Sequence, residues 1–347
     1  MIVTVQLLRA IAAIMVVMYH ISIKGEQYFN HALSWFDIGQ YGVDLFFIIS
    51  GFIMCYTTAR RSVSFSGFMR DRIKRIIPLY WIMSTVALGV YLIAPSMVNS
   101  SGGETSIFSS YTLIPLGDKL LVQNGWTLSF EFIFYLIFAS CLGIAFKKNS
   151  AILCTIIITA LCLTGHYFPP ENPTLRFLTN VLLLEFVLGI AAFYLLTNKN
   201  PPLTLAIPIL IVGIALLAIQ NQYGAWHGFA GRLVGGGIPM FMVFVGLVGM
   251  ERYIASANFI FKRELLLSGD ASYSIYLIHA FTLSACAIIL RKLHLEQISI
   301  LFSLFLLMSS IVAGIMAFLF VERPVNNYFK RRKIHRLNID SSAPSKS

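Results

Sequence analysis

The sequence predicts an all-α fold: a polytopic integral membrane helix bundle of about ten transmembrane helices with both termini in the cytoplasm. Three observations carry that reading. Hydrophobic residues make up 57% of the 347 and charged residues only 12%, more apolar surface than a water-soluble domain of this length could cover. Apolar windows of roughly 20 residues, the length that crosses a hydrocarbon core, recur along the whole chain. The basic residues are also unevenly divided between alternate loops, as they are in multi-pass proteins.

The expected spans centre on residues 5–23, 41–58, 77–95, 127–146, 150–168, 176–196, 203–220, 232–250, 270–290 and 298–321. With the N-terminus inside, the cytoplasmic segments carry 19 Lys and Arg, against six on the other face. Arg60, Arg61, Arg70, Arg72, Lys74 and Arg75 fall between the first inside pair of spans, and seven more lie in the C-terminal segment. The formal charge of +11 is therefore a topology signal, and no nucleic-acid partner is expected.

The first span sits where a signal peptide would, but it lacks a small-x-small cleavage pattern and carries two ionisable groups, so it is read as retained. The longest outside loop, near 96–125, is rich in Ser, Gly, Thr and Asn (Asn99-Ser-Ser-Gly-Gly-Glu104-Thr-Ser106); it is expected to be mobile and to sit over the exit side of the bundle. Residues 331–347 form a basic, polar cytoplasmic tail that is expected to be disordered. No internal repeat is visible, which argues against a transporter built from duplicated halves.

Chemistry enters with Arg9 and His20, both inside the first apolar span. Eleven positions are close to three helical turns, so both lie near one face, about 16 Å apart along the axis. Ionisable groups at membrane depth cost several kcal/mol and usually line a pathway or a reaction site. A neutral imidazole can take a proton from a hydroxyl, or carry an acyl group as a nucleophile. Arg9 taken alone reads as a snorkelling arginine at a helix end.

A second basic group stands at Arg72 and Arg75, three positions apart and on one face if the segment is helical. Paired guanidinium forks suit phosphate oxygens; the plainer reading is ordinary cytoplasmic charge. Glu131 opens the fourth span as a carboxylate that must pair with Arg, His or a substrate hydroxyl. Asp44, at the outer start of the second span, either orients His20 or an acceptor sugar, or serves as a first-turn acid of its helix. Glu185, Arg232, His279 and Glu322 are read as structural pairs.

The five cysteines (Cys55, Cys141, Cys154, Cys162 and Cys286) show no metal-ligand spacing and are read as small buried hydrophobes. No metal site is expected. A Walker loop, a nucleophile elbow and a His-Glu-x-x-His motif are all missing, which leaves serine-hydrolase and metalloprotease readings without support.

Taken in order, several segments resemble the membrane acyltransferase 3 family, in particular its compact members that O-acetylate exopolysaccharide or O-antigen sugars. They are Arg9-x10-His20, Gly42-Val-Asp44-Leu-Phe-Phe-Ile-Ile-Ser50-Gly51-Phe52, Arg72-x-x-Arg75-Ile-x-Pro78 and Trp126-x-Leu-x-x-Glu131. Ser272-Tyr273-Ser-Ile-Tyr276-Leu-Ile-His279 and Glu322-Arg323-Pro324 complete the set. The resemblance covers residues 1–330, a single membrane acyltransferase domain. It departs from the family at Phe132, where members often carry a second acid after the glutamate.

The resemblance implies transfer of an acyl group, most often acetyl from cytoplasmic acetyl-CoA, to a hydroxyl of a surface polysaccharide or lipid-linked sugar, by a multi-pass protein of the bacterial inner membrane. His20, Glu131 and Asp44 would form the catalytic group, with Arg9, Arg72 and Arg75 holding the CoA phosphates. A transporter or flippase for a lipid-linked glycan, a non-catalytic scaffold, and succinyl rather than acetyl transfer are the alternatives. Oligomeric state is not legible in the sequence.

Overall fold

The computed structural model describes residues 2–59, 63–98, 102–144, 149–198, 201–224, 231–295 and 297–329. The tail at 331–347 lies outside the described residues. Among the described residues the long helices are α1 (Val3–Glu26), α2 (Gly42–Thr58), α3 (Phe65–Ile93), α4 (Gly125–Ile144) and α5 (Ser150–Tyr167). They continue with α6 (Leu183–Asn198), α7 (Leu203–Tyr223), α8 (Leu233–Gly249), α9 (Ser272–Lys292) and α10 (Ser299–Ala317). A π-turn over Phe318–Glu322 prolongs α10 toward residue 329.

Nine segments of the described residues are long and apolar enough to cross a membrane, and α8 is shorter. Its 17 residues would reach about 25 Å at 1.5 Å per residue. It nevertheless returns along the length of α7. Gly213 of α7 lies against Pro239 and Val243, while Gly246 of α8 lies against Ala206 and Leu210 and Gly249 against Pro201. The π-turn Leu233–Gly237, with glycines at its last three positions, leads into α8. The described helices form a polytopic helical membrane bundle.

α1 is the central helix. Val5, Leu8 and Ala12 pack with Leu45, Ile48 and Phe52 of α2 and Phe244 of α8. Its opposite side, Ala13, Val17 and Ile21, packs with Ile275 and Leu283 of α9 and Phe302 and Leu306 of α10. The free N–H groups at its start need partners, and these come from far along the chain. Glu251 accepts from Val3 N and Thr4 N, both at 2.8 Å, and from Thr4 Oγ1 at 2.6 Å.

Two glycines bring α2 and α6 together. A Cβ on Gly51 would collide with the carbonyl of Phe186, and one on Gly189 with that of Ile48. Small residues at a crossing let the backbones approach, which is a main source of packing energy where lipid competes for every apolar face. The Phe47 and Phe134 rings stack on Phe186 at 4.5 and 4.4 Å between centroids, filling the space around that crossing.

α3 is longer than the apolar window alone suggested. Ser64 caps its N-terminus, accepting from Gly67 N at 3.2 Å. Helix therefore begins well before Arg72, and the basic segment is the first turns of the span. The loop after α3 is hydrogen-bonded over its described part. Trp81 Nε1 donates to Tyr111 O at 2.9 Å, Leu121 N donates to Ser110 Oγ at 2.8 Å, and Ser106 and Lys119 pair their backbones. The Trp81 bond joins this loop to α3, and the other two lie within the loop.

Both described ends of the chain lie at one end of the bundle. Gly269 sits against Gln6 of α1, Ser274 donates to Glu322, and the Lys74 ammonium lies 5.1 Å from the Phe329 ring centre. α9 therefore runs parallel to α1.

Candidate active site

A cavity of about 330 Å3 opens among α1, α2, α3, α4 and α9. Arg9 enters it from α1, Arg72 and Arg75 from α3, Ser50 from α2, Glu131 and Tyr135 from α4, and Tyr273 and Tyr276 from α9. Arg72 and Arg75, three apart on a capped helix, fall on one face as the spacing predicted. Helix packing then brings Arg9 to the same space from a segment more than sixty residues away.

These guanidiniums are not neutralised at contact range. Among the described residues the salt bridge within 4 Å is Arg232–Asp44, elsewhere in the bundle. Arg9 Nη1 donates to Gln6 Oε1 at 3.1 Å, and the Arg72 guanidinium lies 5.8 Å from the Phe68 ring centre. The buried Nε of Arg72 has no protein partner. Arg75 adds to the positive field at Arg9, while Glu322, Asp270 and Glu131 oppose it from a distance. Fork-shaped donors converging on a cavity, with spare hydrogen-bonding capacity, can hold an anion.

Glu131 stands in the wall of that cavity. Ser50 Oγ donates to its Oε1 at 3.2 Å, and the Tyr135 hydroxyl donates to the same oxygen. The motif Gly42–Phe52 thus contributes Ser50 to the site. These contacts place Glu131 with the arginines in the cavity lining, which does not include His20.

His20 lies beyond the cavity's lining. Its Nδ1 is 2.9 Å from Val16 O. A carbonyl can only accept, so Nδ1 carries the proton in that bond and Nε2 keeps its lone pair. The imidazole is half-buried, and its centre is 4.9 Å from that of His279 on α9. His279 in turn stands 5.9 Å from the ring of Tyr276, which lines the cavity. Tyr276 and His279 therefore step from the arginine cavity to His20.

Asp44 pairs with Arg232. Its carboxylate is fully buried and takes two bonds from Arg232, Nη2 to Oδ2 at 2.8 Å and Nε to Oδ1 at 3.3 Å. It also stands in the first turn of α2, where a negative charge is favoured. The pairing reading holds for Arg232 and for Glu322, which accepts from Ser274 Oγ at 2.6 Å. It fails for Glu185, neither of whose carboxylate oxygens meets a hydrogen-bond partner, and for His279, whose ring nitrogens meet none either; the serine–tyrosine–histidine segment of α9 was the signal that pointed to the latter. The five cysteines are free thiols, four of them buried. Among the described residues no cluster of His, Cys, Asp and Glu could hold a metal ion.

An apolar bundle that encloses a cationic cavity and leads from it to an imidazole has the makings of a membrane enzyme of group transfer. The chain belongs to the acyltransferase 3 family, whose model, described as an acyltransferase domain, matches residues 2–319; the protein is an acyltransferase. It is 32% identical over 315 residues to the exopolysaccharide production protein ExoZ of Rhizobium meliloti (strain 1021), across 86% of this chain and 93% of that one. Peptidoglycan O-acetyltransferase OatA of Listeria monocytogenes is 25% identical over 93% of this chain, and O-acetyltransferase OatA of Staphylococcus aureus 24% identical over 78%. The chain spans about half the length of those two relatives, 56% and 49%. No solved structure matches it. Membership of an enzyme family supports catalysis over a non-catalytic scaffold.

Proposed function

We propose that the protein moves an acetyl group from cytoplasmic acetyl-CoA to a hydroxyl of a cell-surface polysaccharide or lipid-linked sugar, from within the bacterial inner membrane. The observation that carries this reading is the meeting of Arg9, Arg72 and Arg75 in one cavity with no carboxylate within 4 Å among the described residues. Such a site matches the phosphates of a CoA thioester. It lies at the end of the bundle that the distribution of Lys and Arg assigns to the cytoplasm.

The route from that anchor supports transfer at His20. About 16 Å of helix separates Arg9 from His20, so a donor held by its phosphates would extend its pantetheine arm along α1. An acceptor would approach His20 from the other face. His20 Nε2 takes the hydroxyl proton as the oxygen attacks the thioester carbonyl carbon. The C–S bond then breaks, and the proton passes to the departing sulfur. Glu131, held by Ser50 and Tyr135, braces the arginine cavity; Asp44, through its pair with Arg232, holds α2, which carries Ser50 into that cavity. The relatives named for exopolysaccharide production and for O-acetylation favour a glycan acceptor and an acetyl donor over succinyl.

The deciding experiment measures O-acetyl esters on surface polysaccharide in a deletion strain complemented with wild type or His20→Ala at matched membrane levels. Esters should return only with wild type. Equal restoration by both would make His20 structural and overturn the mechanism.

A further inference from the structure

His279 belongs to a stripe, Ile275–His279–Leu283, whose successive members are four positions apart, so all three share one face of α9. Ile275 and Leu283 pack against Ala13, Val17 and Ile21 of α1. An apolar side chain at 279 would complete that seam. The histidine there is fully buried, and neither ring nitrogen reaches hydrogen-bond geometry with a protein group. The backbone of Ile275 and Tyr276 is near enough to influence the ring without meeting that geometry. Buried polar groups in proteins are nearly always paired, and an unpaired one forfeits its solvation without return. A side chain kept under such terms points to a ligand as its partner.

Its position says which ligand. His279 stands one turn beyond Tyr276, which lines the arginine cavity, and its ring centre is 4.9 Å from that of His20. It is the imidazole on the cavity side of the pair. Two rings this close can both reach one small functional group lying beside them.

We propose that His279 is a second catalytic imidazole, whose N–H binds the acyl carbonyl oxygen of the donor while His20 handles the proton. This rests on the acyl-transfer reading above and assigns the oxyanion partner within it. As the acceptor oxygen bonds to the carbonyl carbon, its proton goes to His20 Nε2 and the carbonyl π electrons move onto oxygen. His279 in its uncharged form donates one hydrogen bond to that oxygen and keeps its proton. When the C–S bond breaks, its electron pair leaves on sulfur, the C=O bond re-forms, and the His20 proton completes the thiol. A donor aimed at the place where charge develops acts on the transition state more than on the ground state.

The test compares full-length wild type with His279→Leu and His279→Gln. It measures the rate of O-acetyl ester formation on surface polysaccharide at matched membrane levels. On purified protein in detergent it measures the Kd for acetyl-CoA and the thermal midpoint. Loss of one oxyanion donor costs roughly 100- to 1,000-fold in rate. His279→Leu, which suits the seam, should lose about that much while keeping its midpoint and a Kd within about threefold. His279→Gln, which retains an N–H donor, should recover about tenfold over His279→Leu.

Wild-type rates with His279→Leu would overturn the proposal, leaving His279 a core residue. So would equal losses in both variants, or a loss matched by a fall in folded protein. If wild type forms no esters from acetyl-CoA, the acetyl-CoA reading itself fails, which is a different outcome from any difference among the variants.

Discussion

Asp44 and Arg232, 188 positions apart, form a two-bond ion pair that ties the first turn of α2 to the entrance of α8. The two partners differ in surroundings. Asp44 is completely buried, whereas the Arg232 side chain is 30% exposed. Glu185, also buried, lies against Gly237 at the entrance of α8.

That asymmetry predicts unequal costs. Arg232→Gln strands a buried carboxylate and should destabilise by about 3–5 kcal/mol. Asp44→Asn leaves an arginine that can still reach water, and should cost about 1–3 kcal/mol. Chemical unfolding of purified protein in detergent reads both. The double variant should recover part of the Arg232→Gln loss, and full additivity would mean that the pair is not coupled.

The cavity arginines should act on donor binding. Arg72→Gln and Arg75→Gln each remove a charge-assisted contact worth roughly 1.5–3 kcal/mol, or about 10- to 100-fold in the KM for acetyl-CoA, with kcat largely kept. His20→Ala should show the reverse, with donor binding kept and turnover lost. Steady-state kinetics on purified protein separates the two patterns; a loss confined to kcat in the arginine variants would contradict an anchoring role.

Glu251 supplies the cap that α1 lacks locally. Glu251→Ala removes three hydrogen bonds from the helix that bears both Arg9 and His20. Loss of an N-terminal cap costs about 0.5–2 kcal/mol, so the thermal midpoint should fall by a few degrees while the KM for acetyl-CoA stays near its original value. An unchanged midpoint would show that water replaces the cap without cost.

The α2–α6 crossing tolerates nothing larger than glycine. At Gly51 and Gly189 the obstacle to a Cβ is the backbone of the facing helix, which no rotamer change relieves. Gly51→Leu should abolish monodisperse protein on size-exclusion chromatography, whereas Gly143→Leu, which faces open space, should leave the profile unchanged.

Much of the architecture was legible in hydropathy. The window 203–220 became Leu203–Tyr223, 150–168 became Ser150–Tyr167, and 270–290 became Ser272–Lys292. The main departures lie where polar residues occupy helix. α3 starts near Phe65, ahead of its apolar window, because Ser64 caps a basic first section. The window 176–196 divides into a short helix, Pro173–Leu178, and α6.

The candidate site was legible residue by residue but not as a constellation. Arg9, Arg72, Arg75 and Glu131 were marked by charge in apolar surroundings, and the structure brings all four to one cavity. Asp44 was marked in the same way, yet its partner is Arg232. His279 looked like a pairing residue and has no protein partner.

The sequence by itself determined the polytopic helical class, the helical face shared by Arg9 and His20, and the family. Each depends on local periodicity, composition or short motifs, all of which are written along the chain. Only the tertiary structure decided which charges meet, which are left unpaired, and that an imidazole on α9 stands against one on α1. Those relations depend on how each helix is rotated and how closely neighbouring backbones approach. Contacts such as Gly51 on Phe186 and Gly269 on Gln6 set that geometry between segments far apart in sequence, where no local pattern records it.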